Sequence, residues 1–235
     1  MSADEESPIL WREGEPPRSR RYGDLYFSRH GGLAECREVF LAGCHLPAAW
    51  RDRPRFTVAE LGFGTGLNIA ALLELWAREK PPAGHLAIIS VEAEPLAAQD
   101  AARALAAWPE LADAAGELIA RWPPRAAGVH RLDMPAFRAT LDVAVMEAAD
   151  ALRAWTGSAD AWFLDGFAPA INPAMWRRDV LDLVAQRSAP GARAATYTVA
   201  GQVRRDLALA GFTVERKPGF GAKRQRLEAV RRPAQ

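Results

Sequence analysis

Along the chain, short apolar runs alternate with longer stretches in which apolar residues recur every three or four positions. Residues 57–61 (TVAEL) form an apolar run of strand length. From 68 to 80, Ile69, Leu72, Leu73 and Trp76 share one helical face, and the PPAG segment at 81–84 stops that helix. Residues 86–92 (LAIISVE) read as a second strand, and Pro95 suits the first turn of a helix running to Trp108. Further strands are predicted at 141–146, 161–164 and 192–199, and helices at roughly 174–187 and at 201–211, the last closed by Gly211. FTVERK and RQRLEAV, joined by PGFGAK, read as an antiparallel pair at the C-terminal end. Residues 1–22 are polar and proline-bearing, and predict a loosely held segment.

Strand–helix alternation predicts an α/β fold: a mostly parallel sheet covered on both faces, with a C-terminal antiparallel hairpin. Residues 51–235 are assigned to the main domain and 1–50 to an N-terminal extension packed on it or flanking it. In such sheets ligands sit at the carboxyl ends of the strands, so acidic residues there are the positions to inspect.

Composition narrows the function classes. The formal net charge of +1 supplies no global field for nucleic acid, so any such contact needs a local basic patch. Cys36 and Cys44 stand eight apart with no CxxC, which predicts buried free thiols and no metal site. His30, His45, His85 and His130 are scattered and take no catalytic role. No apolar run approaches the roughly 20 residues of a membrane span, and the acidic N-terminus has no signal-peptide core. A cytoplasmic protein is expected.

Glu60, Gly62, Gly64 and Gly66 form E-x-G-x-G-x-G between the first strand and the first helix. Such a turn brings backbone N–H groups and a helix N-terminus toward a ligand, although a purely structural turn has the same pattern. A dinucleotide-binding loop needs glycine at position 67, where this chain has Leu67. The second strand ends in Glu92, which is placed to take both hydroxyls of a ribose. The third ends in Glu147, placed to accept from the exocyclic amine of adenine. Singly, each is as readily a solvated surface charge. Together they suit a cationic adenosine ligand without phosphate, and S-adenosylmethionine fits that description.

The fourth strand ends in Asp165, followed by Gly166, Phe167, Pro169 and Pro173. An acid beside an aromatic ring can hold a flat nitrogenous substrate, Phe167 stacking on a base and Asp165 accepting from its amine. A turn with a capping aspartate and a core phenylalanine has the same composition.

Four segments, YGDLYFSRHGGLAECREVFL, AELGFGTGLN, WFLDGFAPAINPAMW and GFGAKR, occur in that order. In these the chain resembles the tRNA (5-methylaminomethyl-2-thiouridine) methyltransferases, from about residue 20 to 230. The resemblance implies a Rossmann-like class I methyltransferase fold and S-adenosylmethionine as donor. It implies the aminomethyl group of a tRNA wobble uridine as acceptor. It matches Glu60, Gly62, Gly64, Gly66, Asn68 and Glu92 to cofactor-loop positions, and Asp165 and Phe167 to the active-site motif. Two positions depart from the pattern: Ala93 stands where members often have lysine, and Met146-Glu147 where they often have Gly-Asp. The flavin-dependent oxidase half of the bifunctional members is not expected in a sequence that stops at Gln235.

Seven cations lie between Arg216 and Arg232 against one acid, Glu228. Of these, Lys217, Lys223, Arg224 and Arg226 are assigned to tRNA phosphates; a solvated face is the alternative. Arg18, Arg20 and Arg21 make a second small cluster, and Trp76, Trp108 and Trp122 are read as core. The expected partner is tRNA, with no DNA, membrane or metal. Two other functions stay open: a methyl- or aminopropyl-transferase for a free amine on the same fold, and a non-catalytic adenosine-ligand binder.

Overall fold

The computed structural model describes residues 7–233. In chain order, β1 (Ile9–Leu10) and β2 (Arg18–Ser19) form a short hairpin, and α1 (Gly32–Cys36) runs on into a π-helical turn, Arg37–Ala42. There follow β3 (Arg55–Leu61), α2 (Leu67–Glu79), β4 (His85–Glu92), α3 (Ala98–Leu105), α4 (Ala112–Ala120), β5 (Gly128–Met134) and β6 (Ala139–Val145). The rest is α5 (Ala148–Ala154), β7 (Ala159–Leu164), α6 (Arg178–Gln186), β8 (Ser188–Thr196), α7 (Gly201–Leu209), β9 (Phe212–Pro218) and β10 (Gln225–Arg231).

Eight strands make one sheet in the order β5-β6-β4-β3-β7-β8-β10-β9. β3 pairs in parallel with β4 and β7, β4 with β6, and β7 with β8. The antiparallel C-terminal hairpin, β9 with β10, adds to β8. The chain moves outward from β3 in both directions, so the order reverses there. A ligand crevice is therefore expected where the carboxyl ends of β3, β4 and β7 meet.

Each face of the sheet has its own core. The alternation along β7 is clear: Ala161 and Phe163 face one cluster, with Trp50, Phe56 and Trp76, while Trp162 and Leu164 face the other, with Trp176, Leu181 and Phe212. Ala159 joins the second cluster, out of alternation, because the β7–β8 register shifts between Ala159 and Ala161. The first cluster includes Leu33, Cys36, Val39 and Phe40. Residues 33–50 are thus part of the core beside α2, each large apolar side chain contributing about 1.5–3 kcal/mol by burial. Both cysteines are buried and free.

Several elements differ from the sequence expectation. Residues 1–6 of the segment expected to be loose lie outside the described residues. Residues 7–22 are fastened instead: Ser7 Oγ and Trp11 Nε1 donate to the two Asp100 carboxylate oxygens at 2.9 and 3.1 Å, and the Arg103 guanidinium lies 4.1 Å over the Trp11 ring. Polar composition hid this anchoring, because the contacts are themselves polar. The helix opened by Pro95 starts only at Ala98, with Ala97 extended. The helix expected from 174 is interrupted: Pro173–Trp176 is a 3-10 turn, Arg177 is extended, and α6 follows. β5, α4 and α5 were not read at all. Among the described residues no helix is long and apolar enough to cross a membrane, and no His/Cys/Asp/Glu group is placed to hold a metal ion.

Candidate active site

β3 is paired on both sides, so beyond Leu61 the chain must leave the sheet in little space. Gly62 adopts φ 93°, and a Cβ there would lie 2.2 Å from the Asp165 carbonyl oxygen. Glycine is therefore needed where the ends of β3 and β7 press together. Gly64, at φ 52°, passes under Tyr26, whose ring edge would be 3.3 Å from an added Cβ. Gly66 precedes α2 and packs on Leu118 and Trp122, away from the cavity.

The strand-end acids have different surroundings. Glu60 is 1% exposed. It accepts from Ser90 Oγ at 2.5 Å and from Asn68 Nδ2 at 3.1 Å, and burial pushes it up to about 8. The same Asn68 amide donates to Asp165 Oδ2 at 2.7 Å, and the Gly166 N–H donates to Asp165 Oδ1 at 3.0 Å. Burial pushes Asp165 up to about 7, with Glu35 adding to the rise and Asn68 and Lys223 opposing it. Glu92 accepts the Gly64 N–H on Oε2 at 2.9 Å and the Glu94 N–H on Oε1 at 3.0 Å. Burial raises Glu92 too, and Glu147 adds to the shift.

Of these, Asn68, Glu92 and Asp165 open on one cavity of about 450 Å³. Sheet order divides it: Glu92 and Glu147 stand beyond β4 and β6, Asp165 and Tyr197 beyond β7 and β8. Phe167 forms an aromatic wall with Tyr22 (centroids 4.8 Å apart) and Tyr26 (5.3 Å), and its carbonyl oxygen accepts from Trp176 Nε1 at 2.9 Å. Tyr197 donates its hydroxyl to Gly166 O at 2.6 Å.

Residues 109–232, more than half of the chain, match a family model described as S-adenosyl-L-methionine-dependent methyltransferase. The chain belongs to that family. The sequence is 63% identical over 98% of its length to the tRNA 5-methylaminomethyl-2-thiouridine biosynthesis bifunctional protein MnmC of Caulobacter sp. (strain K31). It is 51% identical over 94% to the protein of the same name from Maricaulis maris. The chain spans about two fifths of these relatives' lengths, 39% and 38%. The crystal structure of MNMC2 from Aquifex aeolicus aligns with a TM-score of 0.77 at 25% identity, covering 99% of this chain and 74% of that one.

The residues present fit a methyltransferase's cofactor. The β4 and β6 side of the cavity offers carboxylates and backbone groups. The cations lining the cavity, Arg29 and Lys223, come from the N-terminal segment and the C-terminal hairpin. Such a surface suits a nucleoside carrying positive charge better than a pyrophosphate. Of the residues singled out in the sequence, Gly62, Gly64, Asn68, Glu92, Glu147, Asp165 and Phe167 line the cavity. Glu60 and Gly66 do not; they support the loop from beneath.

The basic patch needs correction. Arg226 is 7% exposed and donates to Glu228, Glu38 and the Pro218 carbonyl oxygen, so it is an internal ion-pair residue and not free for phosphate. Lys217 pairs with Glu215 on β9, the far edge strand. Lys223 sits at the cavity rim bound to Glu35, and Arg224 is exposed on the hairpin loop. Sequence reasoning missed Tyr22, Tyr26, Glu35 and Tyr197. Tyr22, Tyr26 and Glu35 stand in the first of the family-like segments, which was the available signal.

Proposed function

We propose that the chain transfers a methyl group from S-adenosylmethionine to the aminomethyl nitrogen on C5 of a tRNA wobble uridine, in the cytoplasm. The name shared by the 63% and 51% identical relatives supports this substrate. The observation that carries the chemistry is Asp165, placed in the cavity beside an aromatic wall and pushed up to about 7.

The cofactor supplies a methyl group made electrophilic by the sulfonium. Glu92 takes the ribose hydroxyls, keeping free lone pairs on oxygens whose positions two backbone N–H groups fix. Glu147 accepts from the adenine amine, and Gly62, Gly64 and Asn68 shape the loop beside them. Phe167, with Tyr22 and Tyr26, offers the pyrimidine a stacking surface. An alkylamine titrates near the lysine value of about 10.4, so freeing its lone pair at neutral pH costs on the order of 4–5 kcal/mol. Asp165 orients the amine and takes the ammonium proton, which frees the nitrogen lone pair to form the N–C bond to the methyl group that the sulfonium gives up. Its raised basicity narrows the mismatch, and positioning supplies several kcal/mol more.

The test is transfer of labelled methyl to tRNA bearing an unmethylated aminomethyl wobble base. Asp165→Ala is expected to lower single-turnover rates by roughly two to four orders of magnitude with cofactor affinity nearly unchanged. In the intact protein the rate should rise with pH through about 7 as Asp165 ionises. Near-normal single-turnover transfer by Asp165→Ala would overturn the assignment.

A further inference from the structure

Lys223 occupies the loop between β9 and β10, which is closed by Gly219 N–H to Arg224 O at 3.1 Å and Lys223 N–H to Phe220 O at 3.0 Å. Its ammonium donates to Glu35 Oε1 on α1 at 2.7 Å and lies 3.9 Å from the centroid of the Tyr197 ring. Tyr197 donates in turn to the carbonyl of Gly166, the residue after Asp165. Glu35, Asp165, Tyr197 and Lys223 all line the one cavity. A lysine side chain held in one place loses much of its rotamer freedom, which a merely solvating lysine avoids. Here that cost is offset by a charged hydrogen bond and a cation–π contact.

We propose that Lys223 is a positioning residue of the transfer site: clamped between Glu35 and the Tyr197 ring, its ammonium supplies the positive charge that keeps Asp165 an anion able to take the acceptor's proton. This rests on the reading of Asp165 given above. The titratable groups around Asp165 include Asp24 from the segment before α1, which accepts from the Ala168 N–H, Glu35 and Cys36 from α1, Glu60 from β3, Tyr197 just beyond β8, and Lys223 from the hairpin loop. Burial holds three of them in the neutral form at pH 7: Glu60 is pushed to about 8, and Cys36 and Tyr197 rise well above their ordinary values. The charges of Glu35 and Lys223 act on Asp165 in opposite senses. Glu35 disfavours its ionisation and Lys223 favours it. Loss of Lys223 removes the favourable charge and also leaves Glu35 uncompensated. The Lys223 side chain is 42% exposed, so solvent screens part of the effect.

The decisive measurement is a carbon-13 NMR titration of the Asp165 carboxyl in the protein without cofactor, the signal assigned by its disappearance in Asp165→Asn. The midpoint is expected near 7 in the native chain, and higher by roughly half a unit or more in Lys223→Met. Lys223→Arg should restore it. Glu35→Gln should move it down, and tests the same coupling should Lys223→Met not fold. The rising limb of the methyl-transfer pH profile should shift with the midpoint, lowering the rate at pH 7 by about twofold for a half-unit shift and converging with the native rate at high pH. An unmoved midpoint in Lys223→Met, in a protein that still methylates, overturns the coupling alone. A moved midpoint with no methylation of aminomethyl-tRNA by the native chain overturns the functional reading and leaves the coupling standing.

Discussion

Replacing Glu60 with glutamine tests whether the acid beneath the glycine loop is held neutral. The side chain is 1% exposed, and burial pushes it from 4.5 to about 8. The sign follows from proton binding. Between about 4.5 and 8 the folded chain keeps a proton that the unfolded chain has lost. Glu60 therefore contributes its full stability below 4.5. That contribution falls as pH rises and is gone above about 8. At 1.36 kcal/mol per unit, a shift of about 3.5 units is worth about 5 kcal/mol across the window, as an upper figure.

Glutamine is close to isosteric with the protonated acid and reproduces its hydrogen bonds. Its carbonyl oxygen accepts from Asn68 Nδ2, and its amide donates to Ser90 Oγ, whose hydroxyl changes from donor to acceptor. Urea unfolding of Glu60→Gln and the native chain without cofactor, at pH 5, 7 and 9, isolates this residue, since every other titrating group is common to both. The curves should nearly coincide at pH 5 and diverge by several kcal/mol at pH 9, with the variant the more stable. Parallel curves across that range would refute the reasoning and show Glu60 ionised in the fold throughout.

Glu92→Ala should weaken S-adenosylmethionine binding by roughly 2–3 kcal/mol, the value of a charged hydrogen-bond pair, and calorimetry showing native affinity would remove Glu92 from the ribose role. Arg216→Ala with Arg224→Ala should weaken tRNA binding and flatten its dependence on salt without changing unfolding; an unaltered salt slope would make that surface a solvated face. Arg226→Ala should behave in the opposite way. It removes the closer of Glu228's two cations, leaving Arg193 at 3.9 Å, and should cost up to about 3–5 kcal/mol in urea unfolding with the salt slope kept.

The legible parts of the fold were those written in apolar periodicity. β3, α2, β4, β7, α7 and the C-terminal hairpin lie within a few residues of expectation because each buries a continuous apolar face. β5 was illegible: it is an edge strand with Leu132 and Met134 buried and Val129 57% exposed, so half a strand's pattern is missing. α5, AADALRA, is too short to show a helical repeat, and the alanine-rich α4 has too few large apolar residues to mark a face. At the site, position along a strand was informative and composition was not. Glu92, Glu147 and Asp165 stand where strands end, and all three line the cavity. The arginine and lysine cluster misled because the run passes from an exposed loop into β10, which lies between β8 and β9 and buries residues 226–229. Arg226 faces the core while Arg224, two residues away in the hairpin loop, faces water. Tyr197 carried no local signal, because what relates it to Asp165 is a fold contact and not a spacing.

The pair Glu60 and Asp165 shows how one amide can serve two carboxylates with different tasks. The Asn68 NH₂ reaches Glu60 at 3.1 Å and Asp165 at 2.7 Å. The same donor cannot account for the difference between the acids, so their remaining surroundings must. Glu60 has Ser90 and the sheet around it, no cation, and no opening to the cavity, which leaves the proton as its cheapest partner at neutral pH. Asp165 opens on the cavity and feels Lys223, and its rise stops near neutrality. A neutral Glu60 spares Asp165 a like charge across the asparagine, which would otherwise push the reactive acid higher and leave it protonated at pH 7. Environments that separate two acids in this way divide them into a structural group and a titrating one. The E-x-G-x-G-x-G glutamate then supports the chemistry from below, by staying uncharged beside the acid that must ionise.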